Sequence, residues 1–110
     1  MNDKELELWI LDTIEEGGYS FQELSDYISR SEIKSDILSS ILNKIILKNF
    51  INIYEYSYKT HKMKEISIKN QKIILSKFNE ILKETGDQKY HFQITKSGIS
   101  YLRENGIYGA

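Results

Sequence analysis

Between Leu42 and Ile51 the chain changes period, and no other stretch constrains its fold so tightly. Ile37, Leu38, Ile41, Leu42, Ile45 and Ile46 recur at the three- and four-residue spacing of one wide helix face. Past Phe50, the residues Ile51, Ile53, Glu55, Ser57 and Lys59 alternate with Asn52, Tyr54, Tyr56 and Tyr58, which is the two-residue period of a strand. A helix must stop and a strand must start within a few residues. Asn49 stands at the junction and can take the left-handed conformation that closes a helix. The spacing predicts a helix from about Ser35 to Lys48, with Ser39, Ser40, Asn43, Lys44 and Lys48 on its polar side.

Two helices are expected before it. Leu6, Trp9, Ile10 and Ile14 share one face of a helix over 3–16, capped by Asp3 and ended by Gly17-Gly18. Ser20-Phe21-Gln22-Glu23 fits a capping box, so a short helix over about 21–29 should turn Phe21, Leu24 and Ile28 inward. Tyr19 and Ser20 are placed to form a very short strand, and residues 30–34 read as a turn. After the first strand, Thr60-His61-Lys62 reads as a turn and Met63 to Ile68 as a return strand. A fourth helix is expected over 70–84, with Ile73, Ile74, Phe78, Ile81 and Leu82 on one side and Thr85-Gly86-Asp87 as its stop. Tyr90 to Ile94 suits a short strand. Thr95 would cap a last helix carrying Ile99 and Leu102 and ending near Asn105-Gly106.

At 110 residues, 40% of them hydrophobic and none of them cysteine, the chain suits a single domain over 1–110 held by one apolar core, with no disulfide or cysteine-based zinc site. The run Met1-Asn2-Asp3-Lys4-Glu5 lacks the signature of a signal peptide, and no apolar stretch nears the ~20 residues of a membrane span, so a cytoplasmic protein is expected. Charge is unevenly spread. Residues 1–36 hold ten acids and three bases, and residues 37–83 hold nine bases and three acids. Such asymmetry suits either an anionic partner or a dipolar solvated surface.

Two segments resemble winged-helix regulators of the PadR- and MarR-like kind. Leu42, Ile45, Asn49, Phe50 and Ile51 hold the places of that family's leucine, leucine, glycine, apolar residue and isoleucine at the end of its recognition helix. Tyr90 to Leu102, with Thr95 and Gly98, resembles its last wing strand and the following helix. The resemblance covers roughly residues 5–58 and 90–105. It implies an α+β, mostly helical fold: a winged helix-turn-helix with a small antiparallel sheet. Asn49 stands where the family has glycine. Residues 59–89 exceed an ordinary wing, and an extra helix, about 70–84, would be inserted between the wing strands.

The resemblance implies a transcriptional regulator, dimeric and binding double-stranded DNA through the helix at about 35–48. Ser35, Ser39, Ser40, Asn43, Lys44 and Lys48 are then the DNA-binding candidates, since asparagine pairs with adenine and lysine reaches guanine or phosphate. Against this, the helix has no arginine, and Asp36 near its start would repel phosphate. A second basic group, Lys59, His61, Lys62, Lys64, Lys69 and Lys72, could neutralise phosphates or could simply protect an exposed hairpin from edge-to-edge pairing. Tyr54, Tyr56 and Tyr58 share a strand face suited to packing or, less readily, to stacking on single-stranded bases. Trp9, Ile73, Ile74, Phe78 and Ile81 could pair two copies through the first helix and the helix at 70–84, or close the core of one. His61 and His91 have neither metal-ligand spacing nor an acidic cluster, so we expect no enzyme, no catalytic residue, no metal and no cofactor. The alternative to a DNA reader is a winged-helix module that binds another protein, as an adaptor, an inhibitor or an immunity-type partner.

Overall fold

The computed structural model of the chain describes residues 2–17, 20–31, 33–57, 59–78, 80, 81 and 89–107. Three helices come first: α1 (Asp3–Gly17), α2 (Phe21–Ser29) and α3 (Ser35–Leu47). Asn2, rather than Asp3, caps α1, its Oδ1 accepting from the Glu5 backbone N–H at 2.8 Å. The helix starts with Asp3 itself, so the capping position falls one residue earlier. α1 buries Leu6, Ile10, Leu11 and Ile14, while Trp9 lies at the margin of the stripe against Tyr27, 5.8 Å between ring centroids. The capping box of α2 is formed in both directions: Ser20 Oγ accepts from Glu23 N–H at 3.1 Å, and Glu23 Oε1 from Ser20 N–H at 3.3 Å. Gly18, Tyr19 and Glu32 lie outside the described residues.

In α3, Leu38, Ile41, Leu42, Ile45 and Ile46 are buried as the period requires. Ile37 is 43% exposed instead of joining them, because it borders an open hollow with Leu6, Trp9 and Ile33 that no described element fills. Asn49 ends the helix at φ +63°, and two bonds close it: Asn49 N–H to Ile46 O and Phe50 N–H to Ile45 O, both 2.9 Å. These are the paired bonds of a Schellman motif, with asparagine in the left-handed position.

The sheet has three antiparallel strands in the order β2-β1-β3: β1 (Ile51–Ser57), β2 (Lys62–Glu65) and β3 (Tyr90–Ile94). Ile51, Ile53 and Phe92 face the helices and are fully buried, while Tyr54 and Tyr56 lie on the opposite face, as alternation dictates. Tyr58 lies outside the described residues. Ser20 makes an isolated antiparallel bridge to His91, on the edge of β3 that β1 leaves open.

The stretch between β1 and β3 departs most from expectation. The return strand covers Lys62–Glu65 rather than 63–68, because Ser67 caps the next helix, accepting from Asn70 N–H at 3.3 Å. That helix, α4 (Ile68–Ser76), begins earlier than 70 and closes at Lys77, with Phe78, Glu80 and Ile81 helical again beyond it. Its inward residues are Gln71, Leu75 and then Phe78, whereas Ile73 is 47% exposed. Gln71 wins an inward place because its amide meets two backbone groups: Oε1 accepts from Ile53 N–H at 2.9 Å, and Nε2 donates to Ile66 O at 2.8 Å. β2 pairs only with Tyr54 to Ser57, so that Ile53 donor is one the hairpin does not satisfy. Leu82 and Thr85-Gly86-Asp87, expected at the end of this helix, lie outside the described residues.

The chain returns through β3 to a last helix, α5 (Lys96–Glu104), capped by Thr95 and followed by Gly106 at φ +85°. The described protein is therefore α+β and mostly helical, with five α-helices and one small antiparallel sheet. The buried apolar residues form one continuous cluster. At its centre Phe21 packs on Phe92 and Phe78, at centroid distances of 4.7 and 5.0 Å. None of the described helices is long and apolar enough to cross a membrane.

Candidate functional site

The outward side of α3 is the first surface to consider. Ser39 is half-buried, and Ser40, Asn43, Lys44 and Lys48 are exposed; Ser35 opens the helix. This side does not stand free. α4 runs beside it, and the two helices border a groove of about 640 Å³ between Asp36, Ser39, Ser40 and Asn43 on one wall and Lys72 and Ser76 on the other. Leu75, 4% exposed, and Leu47, 60% exposed, also line it. Because Gln71 and Leu75 root α4 in the sheet and core, with Phe78 buried just beyond it, the helix is part of the packed structure and not a loose flap.

Lys44 and Lys48, at the end of α3, turn toward α1. Lys44 Nζ lies 3.7 Å from Asp3 Oδ2, and Lys48 Nζ donates to Glu7 Oε1 at 2.9 Å. The first pair is solvent-exposed and contributes little. The second involves a Glu7 that is 3% exposed, and its ammonium lies 5.9 and 5.8 Å from the ring centres of Phe50 and Tyr101. The hydrogen bond that Lys48 donates to Glu7 raises the Lys48 pKa above its ordinary value; partial burial opposes this and the carboxylate's charge reinforces it. A raised lysine pKa means this stabilisation is whole at neutral pH and is lost only as strong alkali removes the proton. Lys48→Met should cost about 1–2 kcal/mol in urea unfolding at neutral pH. The Glu7 carboxylate would be left buried without its donor, and the half-exposed lysine keeps the loss below that of a wholly buried pair. An unchanged midpoint would show that water replaces the lysine freely.

The hairpin carries the other basic group. Lys59, Lys62 and Lys64 are all exposed. Lys62 stands opposite Ser57 and Lys64 opposite Glu55 in the ladder, and both line a hollow of about 470 Å³ with Ser57, Thr60 and Lys89. Glu55 is bridged by Lys89 at 3.3 Å, so among the described residues neither Lys62 nor Lys64 has an ion-pair partner. Lys89 gave no sequence signal, since its partner Glu55 is 34 positions away and is brought near only by β1–β3 pairing. His61 occupies the turn at φ +53°, with its Nδ1 3.3 Å from Tyr56 Oη. The His91 ring lies 5.3 Å from that of Tyr56 on the other side. Among the described residues no group of three or more histidines, cysteines or carboxylates could hold a metal ion.

The residues singled out for DNA contact are thus divided. Ser39, Ser40 and Asn43 share the α3–α4 groove, Lys44 and Lys48 are tied to α1, and Lys62 and Lys64 belong to the hairpin hollow. Of those weighed between core and second copy, Phe78 is buried at the centre, Trp9, Ile74 and Ile81 are half-buried and Ile73 is exposed. No family model, no curated protein and no solved structure matches the chain.

Proposed function

We propose that this chain is a winged-helix domain that docks onto another protein and does not read DNA with its third helix. The winged-helix part is supported by the element order and by the place of Ser20, which bridges the edge of β3 opposite β1. It is also supported by the meeting of the two segments that carry the resemblance. Thr95 Oγ1 donates to Asn49 O at 2.6 Å, and Thr95 N–H donates to Phe50 O at 2.9 Å. Fold alone does not assign a partner. The observation that carries the choice is α4: rooted by Gln71 and Leu75, it lies along the polar side of α3 that a DNA reader would lay in the major groove.

The test is a titration of fluorescent mixed-sequence duplex DNA at low salt. A DNA reader shows non-specific affinity of roughly 10⁻⁴–10⁻⁶ M at physiological salt and binds more tightly below it. We expect no saturable binding at micromolar protein. Saturable binding that weakens steeply with salt and is lost in Asn43→Ala/Lys44→Glu would overturn the reading. It would instead establish the second one, a dimeric regulator contacting double-stranded DNA through α3 and the hairpin. That second reading draws its support from Lys59, Lys62 and Lys64, which are exposed and lack a described ion-pair partner.

A further inference from the structure

We infer that β2 is a docking edge for an extended, acidic segment of another protein, which would add to the sheet as a fourth strand. The inference rests on the protein-interaction reading and names the surface and the chemistry of the partner.

β2 is the outermost strand in the order β2-β1-β3, and among the described residues nothing pairs with its outer edge. The other margin of the sheet is different, since Ser20 bridges β3 there. An edge strand leaves a row of backbone N–H and C=O groups facing outward, and another extended polypeptide is the partner that satisfies both kinds at the right spacing. All four residues of β2, Lys62-Met63-Lys64-Glu65, are exposed.

Charge selects among extended partners. Lys62 and Lys64 are two residues apart, so both side chains rise from the same face, and neither is neutralised by a described carboxylate. An added strand with acids at alternate positions would set them beside both ammonium groups, where opposite charges across a ladder are favourable. A second copy of this chain is a poorer occupant. Keeping both buried faces on one side sets Lys62 opposite Lys64 of the other copy, and like charges so placed are destabilising. Nucleic acid is also a poorer fit. No arginine lies between Arg30 and Arg103, and phosphates cannot complete a strand edge.

The experiment is an NMR titration of the labelled full chain. The probes are a short peptide alternating glutamate with valine, its lysine counterpart, a single-stranded oligonucleotide and a duplex. We expect the glutamate peptide to shift amides of Lys62 to Glu65 and slow their exchange, and the lysine peptide to do neither. In Lys62→Gln/Lys64→Gln, which removes both charges without setting an acid opposite Glu55, affinity should fall at least about tenfold while the thermal melt is nearly unchanged. Silence from the glutamate peptide overturns the inference, as does tighter binding by the single strand or concentration-dependent self-pairing through β2. If the duplex also stays silent, the protein-interaction reading still stands, whereas saturable duplex binding removes both.

Discussion

Phe78→Ala should lower the stability of the chain by about 3–5 kcal/mol, the range for emptying a buried phenylalanine site, and a large share of the 5–15 kcal/mol that holds a typical domain together. Phe78 is 1% exposed and lies 5.0 Å from Phe21 and 6.4 Å from Phe92, ring centre to ring centre. It also anchors the stretch after α4, so its loss should loosen the packing of α4 on α3. Urea unfolding followed by circular dichroism measures the first effect, and amide exchange in α3 the second. Phe78→Leu, which keeps most of the apolar volume, should fold and lose less, so the comparison survives even if the alanine variant is unfolded. Ile73→Ala, at a site 47% exposed within α4, should change stability by no more than about 0.5 kcal/mol. A loss at Ile73 as large as that at Phe78 would mean that α4 turns Ile73 toward the core.

Gly98→Ala should cost about 2 kcal/mol or more, although alanine is the better helix former by about 1 kcal/mol. A Cβ at Gly98 would collide with the Phe50 carbonyl oxygen and come within 2.6 Å of Ile94 Cγ1. That carbonyl cannot simply retreat, because it already accepts from Thr95 N–H at 2.9 Å. The glycine is therefore needed for close approach: α5 starts hard against the corner where α3 hands over to β1. Ser97→Ala, one residue away and exposed, should be nearly neutral, and the difference between the two urea midpoints isolates the steric effect. A stabilised Gly98→Ala protein would mean the corner is looser than its bond lengths imply.

Both predictions bear on how much was legible beforehand. The handover from α3 to β1 was readable because its signals are local. The helical period ends at Ile46, the alternating period begins at Ile51, and Asn49 is a residue that tolerates φ +63°. The capping residues Ser20 and Thr95 were readable for the same reason: each bonds to a backbone group three residues on. α4 was readable only in part. Phe78 is buried and Ile74 and Ile81 pack against the core as expected, but Ile73 is exposed and a glutamine lies inside because two backbone groups, one of them 18 residues away, need its amide. A polar side chain that satisfies distant backbone leaves no periodic trace.

The candidate site divided along the same line. Sequence named Asn43, Lys44 and Lys48 as one polar face, and the helix does present them outward. Whether lysines on that face are available to an anion depends on what stands opposite. Lys48 meets Glu7 across 41 residues, and Lys44 lies near Asp3. Lys62 and Lys64 meet no described carboxylate, since Lys89 holds Glu55. By itself, then, the amino-acid order determined the kinds of element and their order, the caps at Ser20 and Thr95 and the corner between α3 and β1, because hydrogen bonds within a few residues and the period of burial settle those. Only the tertiary structure decided which face of α4 enters the core, which lysines are already neutralised and which strand ends the sheet. Those outcomes turn on groups that are far apart in the chain and close in space.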